Sequence, residues 1–132
     1  MSIYTPAELE YLQSQRIGRV ATVSPAGNPH VVPLRFKYNP DADAIDLVGT
    51  DIDTSKKWRD AKATGRIAFV VDDSNDGKPR GLEVRGTAEI HETGGETLMK
   101  NVGPAFIRIV PNHISTWGIE SDDYHAVSRK IG

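Results

Sequence analysis

Two lysines stand where a helix is due to begin. In Asp53-Thr54-Ser55-Lys56-Lys57-Trp58-Arg59 the pattern predicts a short helix over Thr54–Thr64, closed by Gly65. The first turn of a helix leaves backbone N–H groups unpaired and carries the positive end of the dipole, so acidic side chains are favoured there. Here Lys56 and Lys57 occupy that turn, and Arg59 and Lys62 follow. Such repulsion is relieved when an anion binds, because helix N-termini already offer N–H donors to phosphate. Thr54 and Ser55 add hydroxyls at the same place, and Arg35 and Lys37, two residues apart on one strand, add positive charge if a barrel closes nearby. On spacing alone a second reading stands equal to the first: the lysines answer Asp51 and Asp53 on a solvated face.

Other residues that could do chemistry are scattered. Trp117, beside Gly118 near a strand end, is either a core or interface anchor or the wall of a ring-binding pocket, and Trp58 is expected to pack the short helix onto the sheet. Gly81 and Gly86, inside a strand, point to a bulge or to close approach of a ligand or backbone. Arg85 fits a cofactor contact and a subunit-interface ion pair equally well. His30, His91, His113 and His125 are far apart, without metal-ligand spacing, and no metal site is expected. There is no Gly-x-Ser-x-Gly elbow, no Gly-x-Gly-x-x-Gly and no phosphate loop ending in Gly-Lys-Ser/Thr. The carboxylates fall on turns with no obvious buried pair. Hydrolase and kinase chemistry therefore have little support, and no catalytic residue stands out.

The elements that must position these residues are mostly strands. Thr5-Pro6-Ala7-Glu8 carries a capping box and a first-turn proline, predicting a helix that ends near Arg16. Strands are expected at Ile17–Ser24, through His30–Lys37, and at Ala44–Thr50. Pro33 cannot donate a ladder hydrogen bond, so it marks an edge, a bulge, or a place where something other than a strand lies alongside. Ile67–Val71 reads as a strand buried on both faces, Asp72–Arg80 as a polar loop, and Leu82–Ile90 as an alternating strand. A helical stretch around Gly95–Asn101, two strands at Ala105–Val110 and Ile114–Ile119, and a polar tail complete the chain. Roughly seven short strands with hairpin turns indicate a closed or nearly closed antiparallel barrel whose ligand site lies on the rim or between subunits.

With 132 residues, 38% hydrophobic and 26% charged, the chain fits one ordinary globular domain. Its 16 Lys plus Arg against 18 Asp plus Glu argue against a general nucleic-acid or anionic-membrane binder. The absence of cysteine removes disulfides, thiolate zinc, cysteine-ligated iron–sulfur clusters and a cysteine nucleophile together. No secretion signal is visible in Met1–Gln15 and no apolar run is long enough to span a bilayer, so the expected location is cytoplasmic.

Six ordered segments together resemble the pyridoxamine 5′-phosphate oxidase-like, FMN-binding split-barrel family. They are Arg19-Val20-Ala21-Thr22-Val23, Pro25 to Leu34, Asp53 to Arg59, Arg66 to Asp73, Arg80 to Glu89, and Ile114-Ser115-Thr116-Trp117-Gly118-Ile119. The short chain, and Asp72-Asp73 followed by Pro79-Arg80-Gly81, look most like the branch that uses the deazaflavin coenzyme F420. The resemblance implies a mainly β fold with short helices: a six- to seven-stranded antiparallel split barrel over residues 1–132. The N-terminal helix would occupy about 5–15, the barrel about 16–120 and the polar tail about 121–132. It also implies a homodimer with two cofactor sites at the subunit interface.

By the same resemblance Ser55 and Lys57, with Lys56 adjacent, hold the cofactor phosphate, and Arg35 helps. The backbone of Val32 and Pro33 passes the ring, Thr50 approaches it, and Trp117 lies near it. The implied activity is hydride transfer between F420 and a small organic acceptor. An FMN-binding oxidase or reductase of the same fold and a non-catalytic flavin- or deazaflavin-binding protein remain as alternatives. The C-terminal tail offers His125, Arg129 and Lys130 in an arrangement unlike that of pyridoxamine phosphate oxidases, which speaks against vitamin B6 as substrate.

Overall fold

A computed structural model describes Met1–Gly132, and seven strands and two helices account for most of it. Helix α1, Pro6–Ser14, starts as its sequence requires: Thr5 Oγ1 accepts from the Glu8 N–H at 3.2 Å, and Glu8 Oε1 accepts from the Thr5 N–H at 2.9 Å. Strands β1 (Ile17–Val23), β2 (Pro29–Asn39) and β3 (Ala44–Leu47) follow. A 3-10 turn, Ile52–Thr54, leads into helix α2, Lys56–Thr64, which ends on Gly65 in the left-handed region. Then come β4 (Arg66–Asn75), β5 (Lys78–His91), β6 (Phe106–Trp117) and β7 (Val127–Lys130).

The sheet order is β3-β2-β1-β4-β5-β6-β7, all antiparallel, and a β3–β6 pairing closes six of the strands into a barrel. Strand β7 lies outside that ring, on the edge of β6 that β3 leaves free. Closure places Ile45, Leu47, Phe69, Leu82, Val84, Ile107, Ile109 and Ile114 at the centre. Trp58 and Ala61 seat α2 against the core, and Tyr11 and Leu12 seat α1. No helix is long and apolar enough to cross a membrane.

Several expectations are corrected. Asp72–Arg80 is not a loop: β4 and β5 run on as one hairpin, turning at Asp76 and Gly77, both with positive φ. Its polar character arises because this hairpin projects past the barrel. There Asp73 and Arg80 are cross-strand partners, with Arg80 Nε and Nη2 donating at 2.7 and 3.0 Å. Tyr11 Oη and Gln15 Nε2 donate to the same carboxylate, which ties α1 to the hairpin.

Strand β3 stops at Leu47, short of Thr50: beyond it Val48 makes one last bond to β2, its N–H donating to the Arg35 carbonyl at 3.3 Å, and the Gly49 carbonyl is taken by Gly103 instead. The two strands expected at Ala105–Val110 and Ile114–Ile119 are one strand, β6. The interruption at Pro111 is a bulge opposite Arg85 and Gly86, where a Cβ on Gly86 would lie 2.0 Å from the Val110 carbonyl oxygen. The stretch around Gly95–Asn101 forms only a three-residue 3-10 turn, Gly95–Thr97. The tail contributes β7.

Ile67–Val71 is not buried on both faces: Ala68 and Val70 are only half-buried and point outward. Three carboxylates are buried rather than exposed. Glu8 takes Arg129 Nη1 and Nη2 at 2.7 and 2.6 Å, Asp46 takes Arg108 Nε and Nη2 at 2.8 and 3.0 Å, and Asp60 takes Lys56 and Thr22. Each sits beside a cation far away in sequence or on the next helical turn, a pairing that local pattern does not reveal.

Candidate functional site

Strand β2 alternates as its sequence predicts. Val32, Leu34 and Phe36 face the core, while Val31, Pro33, Arg35 and Lys37 face outward. Its pairing is one-sided over Pro29–Leu34, where β1 is the only neighbouring strand, because β3 joins only from Phe36 onward. Pro33 therefore lies on an open margin, as its missing N–H requires.

A groove of about 410 Å³ runs along this margin. Pro33 and Arg35 form one wall, Val48–Ile52 another, and Lys57 on the first turn of α2 closes the end. Ile17, the cross-strand partner of Arg35, forms the apolar lip and is 58% exposed. The segment bearing Thr50 is held from behind by residues distant in sequence. Gly103 N–H donates to the Gly49 carbonyl at 3.0 Å, and a Cβ on Gly103 would come within 2.6 Å of the Thr50 carbonyl oxygen. This close approach demands glycine and fixes the groove's outer wall.

The two adjacent lysines have different surroundings. Lys56 turns toward the barrel, its Nζ 3.2 Å from Oδ1 of the buried Asp60, whose Oδ2 accepts from Thr22 Oγ1 at 3.1 Å. Burial raises the Asp60 pKa, but the hydrogen bonds from Lys56 and Thr22 outweigh it and hold the carboxyl below its ordinary range. Lys57 is half-buried, lies in the groove and forms neither an ion pair nor a side-chain hydrogen bond. Loss of water around its amine pushes its pKa down. Arg35 is likewise without a carboxylate partner. An unpaired, partly desolvated ammonium beside a free guanidinium, at the start of a helix, is a set of donors suited to phosphate.

Four of the eight residues expected at a cofactor site thus share this groove: Pro33, Arg35, Thr50 and Lys57. Val32 is not among the residues lining the groove, and its side chain packs against the core. Ser55 is the α2 N-cap; its Oγ accepts from the Trp58 N–H at 3.3 Å and donates to the Ile52 carbonyl at 2.5 Å. The Thr54 hydroxyl donates to the Asp51 carbonyl at 2.8 Å. Neither hydroxyl is therefore a spare donor in this arrangement.

Trp117 stands elsewhere. Its ring lies over Gly81, where an added Cβ would be 2.3 Å from Cζ2, and it borders a separate cavity of about 440 Å³ with Thr5, Glu8 and Arg129. Ile17 and Gly49 line the groove without a signal of their own in the sequence, and Asp51, expected there only as a counter-charge to the lysines, lines it without pairing to either of them. The only signal that could have found them is the Pro33 margin, because whatever borders it must come from the next segments of chain.

Residues 4–117 match the family described as pyridoxamine 5′-phosphate oxidase. Over 122 residues the chain is 39% identical to the 5a,11a-dehydrotetracycline/5a,11a-dehydrooxytetracycline reductase of Streptomyces rimosus, covering 90% of this chain and 86% of that protein. Among solved structures, a conserved hypothetical protein from Mycobacterium tuberculosis superposes with a TM-score of 0.68 at 21% identity, covering 88% of this chain and 86% of that one. An FAD-binding protein from Mycobacterium smegmatis superposes with a TM-score of 0.65 at 18% identity, covering 99% and 100%. At these identities the two structures establish the shared fold.

Proposed function

Because this chain belongs to the pyridoxamine 5′-phosphate oxidase family, we propose that it is an oxidoreductase using a flavin-type cofactor, specifically F420, to reduce a small organic acceptor. One observation carries this reading: Lys57 and Arg35 face a single groove beside an open strand margin, and neither has a partner within the chain. The donor set fits a phosphorylated ring compound. Lys57 and Arg35 would hold the phosphate, and Pro33 and Thr50, on the two walls of the groove, would flank the ring, with Val32 next to Pro33 on the same strand. Ser55 and Lys56 act one step back, by capping α2 and anchoring its first turn to Asp60.

The bound deazaflavin supplies the hydride chemistry, and the protein supplies binding and orientation. The paired charge at Lys56–Asp60 keeps that carboxylate from competing with phosphate for Lys57. Ile17 and Val48 shield one side of the groove from water. The 39% identity to a dehydrotetracycline reductase supports an acceptor with a conjugated, reducible ring system.

A homodimer belongs to the same proposal. Ile17 and Val31 are 58% and 63% exposed, and Ala21, Ala68 and Val70 lie half-buried beside them on the outer face of β2-β1-β4. A second copy laid on this face would cover both the apolar surface and the groove. Trp117, outside the groove of its own chain, would reach a cofactor only across such an interface.

Titration with F420 and with FMN, followed by turnover with the reduced cofactor and a panel of enones and quinones, tests the reading. Tight F420 binding and acceptor reduction by a species sedimenting as a dimer are expected. FMN binding alone assigns the protein to the flavin-using members, and F420 binding without turnover makes it a binding protein. A monomer that binds F420 undiminished overturns the shared-interface arrangement.

A further inference from the structure

A second groove, of about 530 Å³, meets the first at Arg35. It lies between the C-terminal end of α1 (Leu12, Gln13, Gln15, Arg16), the outward residues of β2, and Met99 from the segment leading into β6. Arg16, Arg35 and Lys37 line it, no carboxylate does, and none of the three stands in an ion pair or side-chain hydrogen bond. Eight of the chain's 16 Lys and Arg side chains stand in ion pairs; Arg16, Arg35 and Lys37 are three that do not, and what sets them apart is that they share one groove.

Lys37 has Asp46 as its cross-strand partner, but that carboxylate already accepts Arg108 Nε at 2.8 Å, Arg108 Nη2 at 3.0 Å and Asn39 Nδ2 at 3.2 Å. The terminal carbonyls of α1 answer Arg16 in part. Nothing in the chain answers Arg35 and Lys37, which project from one face about 7 Å apart along the strand. Beside the cations the groove offers apolar surface from Met99 and Pro40.

We infer that this second groove is an anion site for the acceptor. It would take an organic anion whose ionised oxygen lies between Arg16 and Lys37, with its apolar ring against Met99 and Pro40 and its other end toward the first groove. The inference rests on the reductase reading above, and it adds the charge of the substrate class. An acidic, wholly polar cofactor tail could use the cations but would leave the Met99 and Pro40 surface without a function. Arg35 is common to both grooves and would bring an acceptor held there next to a cofactor in the first groove.

The probes are 1,4-naphthoquinone-2-sulfonate and its uncharged parent 1,4-naphthoquinone, measured by calorimetry on the protein with and without F420. The parent protein is expected to bind the sulfonate at least about tenfold more tightly than the neutral quinone. Arg16→Gln and Lys37→Gln are each expected to lose about five- to tenfold of that preference, and the double variant to abolish it, since each charge-assisted contact here is partly exposed. The Kd for F420 and the Kd for the neutral quinone should move less than twofold.

A sulfonate preference that survives in the double variant overturns the inference. So does a loss confined to F420 affinity, which assigns the groove to a cofactor tail. Failure of F420 to bind the parent protein sinks the cofactor reading instead, and the sulfonate preference still tests the groove on its own.

Discussion

Lys56 and Lys57 are adjacent, carry the same charge, and are predicted to respond oppositely to substitution. Lys57 contributes nothing to folding through a partner, because it has none, and burial has already pushed its pKa down. Removing the charge in Lys57→Gln relieves that desolvation, so the melting temperature should stay level or rise. The ligand, by contrast, loses a charge-assisted hydrogen bond of about 1.5–3 kcal/mol, which raises the Kd for F420 by about 10- to 150-fold. Lys56→Gln strips Asp60 of its cation, leaving a buried carboxylate held by Thr22 alone. Its melting temperature should fall, while the Kd for F420 changes by less than about threefold. Fluorescence titration of F420 and thermal denaturation followed by circular dichroism, run on both variants and the parent, read the two effects separately. Equal losses of affinity in the two variants, or an unchanged Kd in Lys57→Gln, would refute the assignment of the phosphate to Lys57.

The pH dependence of binding has a definite sign. A phosphate beside Lys57 raises its pKa above the depressed value of the free protein, so affinity is complete below that value. It declines as pH rises through it, on the acid side of the ordinary 10.5, and F420 titrations between neutral and alkaline pH should trace that fall. Arg129→Met leaves Glu8, 1% exposed, with only the Thr5 N–H, and with Arg129 itself 35% exposed the cost is about 2–3 kcal/mol by urea denaturation. Adding Glu8→Gln to that variant should restore most of it, and a double variant as unstable as the single one argues against the ion pair. Gly86→Ala places a methyl group 2.0 Å from the Val110 carbonyl, where backbone must move, and should cost about 2–3 kcal/mol in the same assay.

Features carried by local residue chemistry were legible in the sequence. The Thr5–Glu8 capping box, the Gly65 stop, the alternation of β2 and the open margin at Pro33 are each decided by one or two side chains, and all appear in the structure. What was not legible depended on partners far along the chain. The Asp72–Arg80 hairpin looked like a loop because its stabilising contacts are the cross-strand Asp73–Arg80 pair and Tyr11 from α1, and a polar ladder has no hydrophobic period to reveal it. Strand β7 was hidden for the same reason; its anchor is Arg129 reaching Glu8 across 121 residues of sequence. In the candidate site, charge marked the start of α2 and the outward face of β2, and only the family resemblance singled out Arg35 and Lys57 within them. The different surroundings of Lys56 and Lys57 could not be read, because nothing local says that Asp60, one turn on, faces inward and claims the first.

The one-sided pairing of β2 has a cost during folding and storage. A strand with one edge bare is a template onto which another chain can add. Pro33 blunts that hazard by withholding a donor in mid-edge, so a foreign strand meets a gap in its ladder. Replacing it with valine would complete the row of donors along β2, leaving an edge more prone to self-association.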